Sequence, residues 1–130
     1  MYVLSVRSQS REQFVDITAQ VREKLAESGA AEGVVTLFSQ HTTAGLTVNE
    51  NSDPDVPRDI LHALRTLIPQ YGMDFRHYEH NSDAHLKTSL VGPGVTVPFQ
   101  GGKLCLGRWQ AIFLCEFDGP RERQVVMMIR

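Results

Sequence analysis

The stretch "RWQAIFLCEF", residues 108 to 117, constrains this chain more than any other. Laid out as a strand, one face carries Trp109, Ala111, Phe113, Cys115 and Phe117, and the other Gln110, Ile112, Leu114 and Glu116. Successive strand residues point to opposite faces, so this segment is apolar on both. "VVMMI", residues 125 to 129, repeats the pattern. A strand with two apolar faces needs cover on both sides, from helices or from another subunit. A chain of 130 residues is one domain by size, 1–130 as a unit, with few helices to supply that cover. The expectation is therefore a mostly β domain with a second copy of itself against one face. Glu116 continues an apolar strand and needs a cationic partner; Arg121 or Arg123, across a hairpin turned at Asp118-Gly119, would serve.

The rest divides readily. "MYVLSVRS" and "EQFVDI" read as a first antiparallel pair, and "GVVTLFSQHT" and "AGLTVNEN" as a second. Between the pairs, Thr18 can cap a helix to about Ser28, with Ile17, Val21 and Leu25 on one face and Gly29 as its stop. "SDPDVPRDILHALRTLIP" is the clearest helix: Ser52 or Asp53 caps it, Pro54 opens it, and Val56, Ile60, Leu64, Leu67 and Ile68 share one arc. His62 lies opposite that arc, in solvent, and Asp59 lies off it. A polar connection over residues 70 to 83 is longer than a helix–strand turn needs, which marks it as a place for function. A short helix capped by Ser82 or Asp83 follows, then "VTVPFQ", "KLCLG", "RWQAIFLCEF" and "ERQVVMMIR" as strands.

Several function classes fall away. The formal net charge is −2 and the charges are dispersed, so no basic face awaits nucleic acid or anionic lipid. No apolar run reaches membrane-spanning length and the first residues do not read as a secretory leader, which gives a soluble, cytoplasmic expectation. Walker, GxGxxG, HExxH and GxSxG motifs are absent. Cys105 and Cys115 are expected to be reduced, buried and inert.

Histidines remain. Three of the five, His77, His80 and His85, fall in "HYEHNSDAHLK", and His41 ends a strand in "SQHTTAG". Imidazole is the commonest zinc ligand, and three imidazoles with an open position make a catalytic centre. His80 and His85 converge only if "NSDA" turns, because residues five apart do not share a helix face. A helix N-terminus disfavours imidazolium, leaving His85 neutral and able to bind metal. The same terminus offers N–H groups to an anion, with Lys87 beside it, so metal, amides and lysine together suit a phosphate or pyrophosphate. Exposed loop histidines are the plain alternative, and His77 is read that way. Glu50 extends the apolar face of Leu46 and Val48, as a functional carboxylate or as the edge of the core. Trp109 reads as core, while Gln110 can present its amide to a ligand.

With these residues in view, the chain resembles the YjbQ family of small bacterial and archaeal proteins. The resemblance rests on "HTTAGLTVNEN.DP.V..D" from His41 to Asp59, "YEH" at 78 to 80, "AHLK" at 84 to 87 and "GKLCLGRWQ" at 102 to 110. It implies an α+β fold with a mainly antiparallel sheet and two to three helices, built as a homotrimer with clefts between subunits. It also implies a weak thiamine-phosphate synthase activity, as shown by some members. The family's histidines fall on His41, His80 and His85, which would hold a divalent ion, plausibly zinc, or magnesium with a pyrophosphate substrate. Glu50 would be the base, and Lys87, Trp109 and Gln110 would hold a small phosphorylated metabolite. Metal-assisted hydrolysis and a non-catalytic, metabolite-binding trimer are the rival readings. Two departures stand out: Arg108 replaces a usual threonine, and the stretch from His80 to His85 is shorter than the family's.

Overall fold

The computed structural model describes all 130 residues. In chain order it has β1 (Tyr2–Arg7), β2 (Gln13–Asp16), α1 (Thr18–Ser28), β3 (Glu32–Ser39), β4 (Ala44–Glu50), α2 (Asp55–Leu67), α3 (Ser82–Val91), β5 (Gly94–Gln100), β6 (Lys103–Leu104), β7 (Gln110–Glu116) and β8 (Glu122–Ile129). The strands form two sheets, ordered β1-β8-β3-β5-β6 and β2-β7-β4, and every pairing is antiparallel. This is a single α+β domain.

The doubly apolar strand is central and its cover is internal. Ile112 and Leu114 of β7 face the main core, with Val35, Leu37, Val97, Val125 and Met127 of the larger sheet and Val21 and Leu25 of α1. The opposite face, Ala111, Phe113, Cys115 and Phe117, meets Ala84 of α3, Phe14 of β2 and Leu61 and Leu64 of α2. Sheet, sheet and helices make three layers, so β7 needs no second subunit. The open apolar face lies elsewhere: Val3, Phe38 and Met128, on β1, β3 and β8, are 52%, 51% and 41% exposed.

Strand identity and strand partner part company in this chain. β1 pairs with β8, not with β2, and β3 and β4 lie in different sheets. Nor does Asp118-Gly119 turn a hairpin, since β7 and β8 also belong to different sheets. Gly119 sits where the chain crosses between them, and a Cβ there would strike the Ser10 carbonyl oxygen and Ser8 Oγ. Glycine is needed for close approach, not for a turn type. Other local expectations are corrected more gently. α1 stops at Gly29 in the left-handed conformation, as expected, but its N-cap is Ile17. The Thr18 hydroxyl instead accepts the Ile112 N–H at 2.9 Å, tying α1 to β7. Cys115 is buried, and burial pushes its thiol pKa up; Cys105 is exposed. Trp109 is not core: it is 53% exposed, with the Arg108 guanidinium 4.5 Å above its ring. No helix is long and apolar enough to cross a membrane.

Candidate functional site

Four chain segments meet at one corner. The register sets Ala44 opposite Glu116, so the start of β4 lies beside the end of β7, and the Phe117 N–H donates to the Thr43 carbonyl at 3.1 Å. Gly119 then delivers the start of β8 to the same place. Arg123 Nε donates to Glu116 Oε1 at 2.8 Å, and its Nη2 donates to Glu116 Oε2 and to Thr43 Oγ1, the latter at 2.9 Å. Ser8 Oγ and the Asp118 N–H complete the Glu116 carboxylate at 2.7 and 3.0 Å. Burial pushes this carboxyl's pKa up, but the bonds from Arg123, Ser8 and Asp118 outweigh it and leave it below the ordinary value. The ion pair anticipated from the sequence is therefore present, with Arg123 as partner, bridging two sheets rather than a hairpin.

Above this floor opens a cavity of about 270 Å³ with no hydrophobic residue in its lining. His41 and His85 both line it, with Glu79, Asn81, Asp118 and Arg121. Asn81, the residue before α3, is buried; its Nδ2 donates to Asp118 Oδ2 at 2.8 Å, which anchors the helix start to the corner. His41 Nε2 accepts the Gln124 N–H at 2.8 Å. The bond consumes the Nε2 lone pair, so the neutral ring carries its proton on Nδ1. Desolvation and the nearby Arg123 hold His41 below the usual imidazole pKa, against the pull of Glu116. It is a neutral hydrogen-bond donor.

The other expected residues are elsewhere. His80 does not line the cavity: it turns the corner at φ 58°, its carbonyl accepts Gln70 Nε2 at 2.9 Å, and its ring centroid lies 6.1 Å from that of Tyr71. With His41 Nε2 engaged, and no three His, Cys, Asp or Glu side chains placed to share a metal, these residues do not fit a three-imidazole ion. Lys87 is fully buried, its ammonium on Asp83 Oδ2 at 2.8 Å and Glu12 Oε2 at 3.3 Å, facing the protein instead of an anion. Glu50, Trp109 and Gln110 lie at the other end of the β4–β7 ladder, where Glu50 pairs with Gln110, about 20 Å from the cavity by strand rise. There Gln110 Oε1 accepts the Gly107 N–H at 2.7 Å.

His77 is exposed and does not line the cavity, as expected, but it neighbours residues that do. Its ring packs edge-on against His85 at 5.4 Å, and its Nε2 is 3.8 Å from Glu79 Oε2. Arg121, Arg123, Asp118 and Asn81 also lie outside the expected site. The signal of the two arginines and Asp118 is present in "EFDGPRER", a burst of charge at the end of the most apolar strand. A second cavity, of about 300 Å³, lies between α2 and β2 and includes Arg58, His62 and Arg65. Arg65 there faces Glu12 and Arg58 faces Asp59, so its cations are already paired.

The comparisons with known proteins agree with one another across the whole chain. The model of the "UPF0047 protein YjbQ-like" family matches residues 2–130. A UPF0047 protein of Methanocaldococcus jannaschii is 44% identical over 129 residues, covering 99% of this chain and 93% of the relative. The UPF0047 protein YugU of Bacillus subtilis is also 44% identical, over 92% and 91%. Among solved structures, a YjbQ/UPF0047 protein from Clostridium acetobutylicum superposes with a TM-score of 0.97 at 46% identity, covering both chains entirely. A conserved hypothetical protein from Thermus thermophilus gives 0.94 at 45%, again over both whole chains. Sequence, length and fold coincide, and the chain belongs to the YjbQ-like UPF0047 family.

Proposed function

We propose that the corner cavity binds the phosphorylated end of a small metabolite and that the chain transfers a group from it, with thiamine-phosphate synthesis as the reaction. The observation that carries this reading is the meeting of His41 and His85, from distant parts of the sequence, in one wholly polar cavity. In that reaction the thiazole nitrogen attacks the pyrimidine methylene carbon while the carbon–oxygen bond to pyrophosphate breaks, the pyrophosphate leaving with the electron pair. Charge grows on the departing oxygen. A neutral His41 N–H and the Arg121 guanidinium are donors of the kind that stabilise it, and His85 can supply a proton to the leaving group. Magnesium would enter as the counter-ion of a pyrophosphate substrate, not through a preformed protein site.

A cavity of about 270 Å³ holds the phosphorylated end of one substrate and not two complete substrates. We therefore keep the homotrimer as part of the proposal, with the open apolar face of the larger sheet as its support. In such an assembly the Glu50, Trp109 and Gln110 end of one subunit is available to a cleft beside the next. Light scattering should give three times the chain mass of 14.6 kDa; a monomer would refute this part.

His85→Ala and His41→Ala should each lower kcat/KM for the coupling by about a hundredfold, in the range for losing a positioned proton donor or oxyanion partner. Unfolding curves should match the wild type within about 1 kcal/mol. Full activity in both variants would remove the site. Phosphate release without a thiazole acceptor would identify hydrolysis in place of transfer.

A further inference from the structure

The cavity is electrically two-sided. Arg123 is 3% exposed, and all its hydrogen bonds run through Nε and Nη2. Nη1 has no protein partner. The only fully enclosed side-chain atoms without one are Asn81 Oδ1 and Thr88 Oγ1, so Nη1 is reachable by solvent, and the cavity is the surface that Arg123 lines. A buried guanidinium that keeps one nitrogen free toward a cavity is a built anion contact. Arg121 lines the same cavity, as does His41, whose Nδ1–H is free.

Two carboxylates lie on the α3 side, Glu79 and Asp118, both reached by Asn81 Nδ2, while Glu116 is buried beneath the cavity. Asp118 is paired with Arg121 at 3.1 Å, and Glu116 with Arg123. Glu79 has no arginine or lysine partner: its contacts are Asn81 Nδ2 at 3.5 Å and His77 Nε2 at 3.8 Å. The lining sets Arg121 and Arg123 against Glu79 and Asp118, and the buried Glu116 beneath it brings the corner to one negative charge in excess. A bare dianion would meet that excess as repulsion.

From this arrangement we infer that the cavity selects a zwitterion: its oxyanion sits on Arg123 Nη1, Arg121 and the His41 N–H, and its cationic group on Glu79. The inference rests on the reading of this cavity as a phosphorylated-metabolite site and specifies the ligand's other end. A phosphate ester that carries an ammonium or a cationic heterocycle is the class it describes.

Calorimetry with two probes separates the ends. O-Phosphoethanolamine has both charges; glycerol phosphate has the anion alone. The first should bind the wild-type chain about tenfold more tightly, the scale of one charge-assisted bond. Glu79→Gln should equalise the probes, and Arg121→Gln, at an exposed side chain, should weaken both about equally. Arg123→Lys, which keeps the charge and loses Nη1, should do the same, with its unfolding curve checked alongside. Equal wild-type affinities, or a preference that survives Glu79→Gln, would overturn the cationic half. Unchanged binding in Arg121→Gln and in folded Arg123→Lys would overturn the anionic half. Binding of neither probe would overturn the inference, leaving turnover by the His41 and His85 variants to decide the function separately.

Discussion

Arg123→Ala is expected to lower the unfolding free energy by about 3–5 kcal/mol, the usual result of removing one partner from a buried ion pair. Glu116 is fully buried, and its carboxylate draws on Arg123, Ser8 and the Asp118 N–H. Without the guanidinium, the charge stays in a site that water cannot reach, or the carboxyl takes a proton and its acceptor geometry is wasted. Glu116→Gln in the same chain should recover part of the loss, because the two positions share one interaction and are not additive. The pH dependence follows from the direction of the shift. Glu116 is held below its ordinary pKa, so its stabilisation is complete above the unfolded value and drains away as pH falls through the folded one. The wild type should lose this contribution in acid, and the double variant should show a flatter acid limb. Urea unfolding across the acid range checks both. A loss under about 1 kcal/mol in Arg123→Ala would mean that the corner is wetter than its geometry says.

Lys87→Ala should be similarly damaging, by about 3–5 kcal/mol. The ammonium is fully buried on Asp83 and Glu12, and Arg11 grips both oxygens of Asp83 at 3.0 and 2.9 Å. Burial pushes the Asp83 carboxyl pKa up, yet the bonds from Arg11 and Lys87 hold it below the ordinary range. This network fastens α3, and with it Asn81 and His85, to the segment before β2. A lysine that bound the ligand would behave differently on substitution. Here the unfolding midpoint in urea should fall steeply, while phosphorylated-ligand affinity, measured where the variant is still folded, should stay within about threefold. Normal stability with lost affinity would restore Lys87 to the binding role expected from the sequence.

What is legible in the sequence is local. Alternation in β7, the apolar periodicity of α2 and the glycine stop of α1 are short-range signals, and each element forms where its pattern lies, although the N-cap of α2 is Pro54 and not Ser52 or Asp53. Strand partners are not legible, because adjacency in the chain does not decide which strands pair. Asp118-Gly119 looks like a hairpin turn, but the tight contact at Gly119 with Ser8 and Ser10 turns the chain into the other sheet. The same limit shapes the site. Residue type and motif point to His41 and His85, and they meet. The same signals point to His80, and its backbone takes it out of the cavity. Position near a helix N-terminus suggests a ligand role for Lys87, whereas it is held by Asp83 on its own helix and by Glu12, which arrives with Arg11 from a distant segment. Arg121 is held by Asp118, three residues before it, but what brings that pair to the cavity is tertiary.

The claim on which the rest depends is that the corner cavity, and not the α2–β2 cavity, receives the phosphorylated ligand. Histidine-selective isotope labelling and NMR titration with O-phosphoethanolamine test it directly, since His41 and His85 line the first cavity and His62 the second. Saturable shifts of the His41 and His85 rings, with His62 still, are the expected result. Saturable shifts of His62 that leave His41 and His85 unmoved would contradict it.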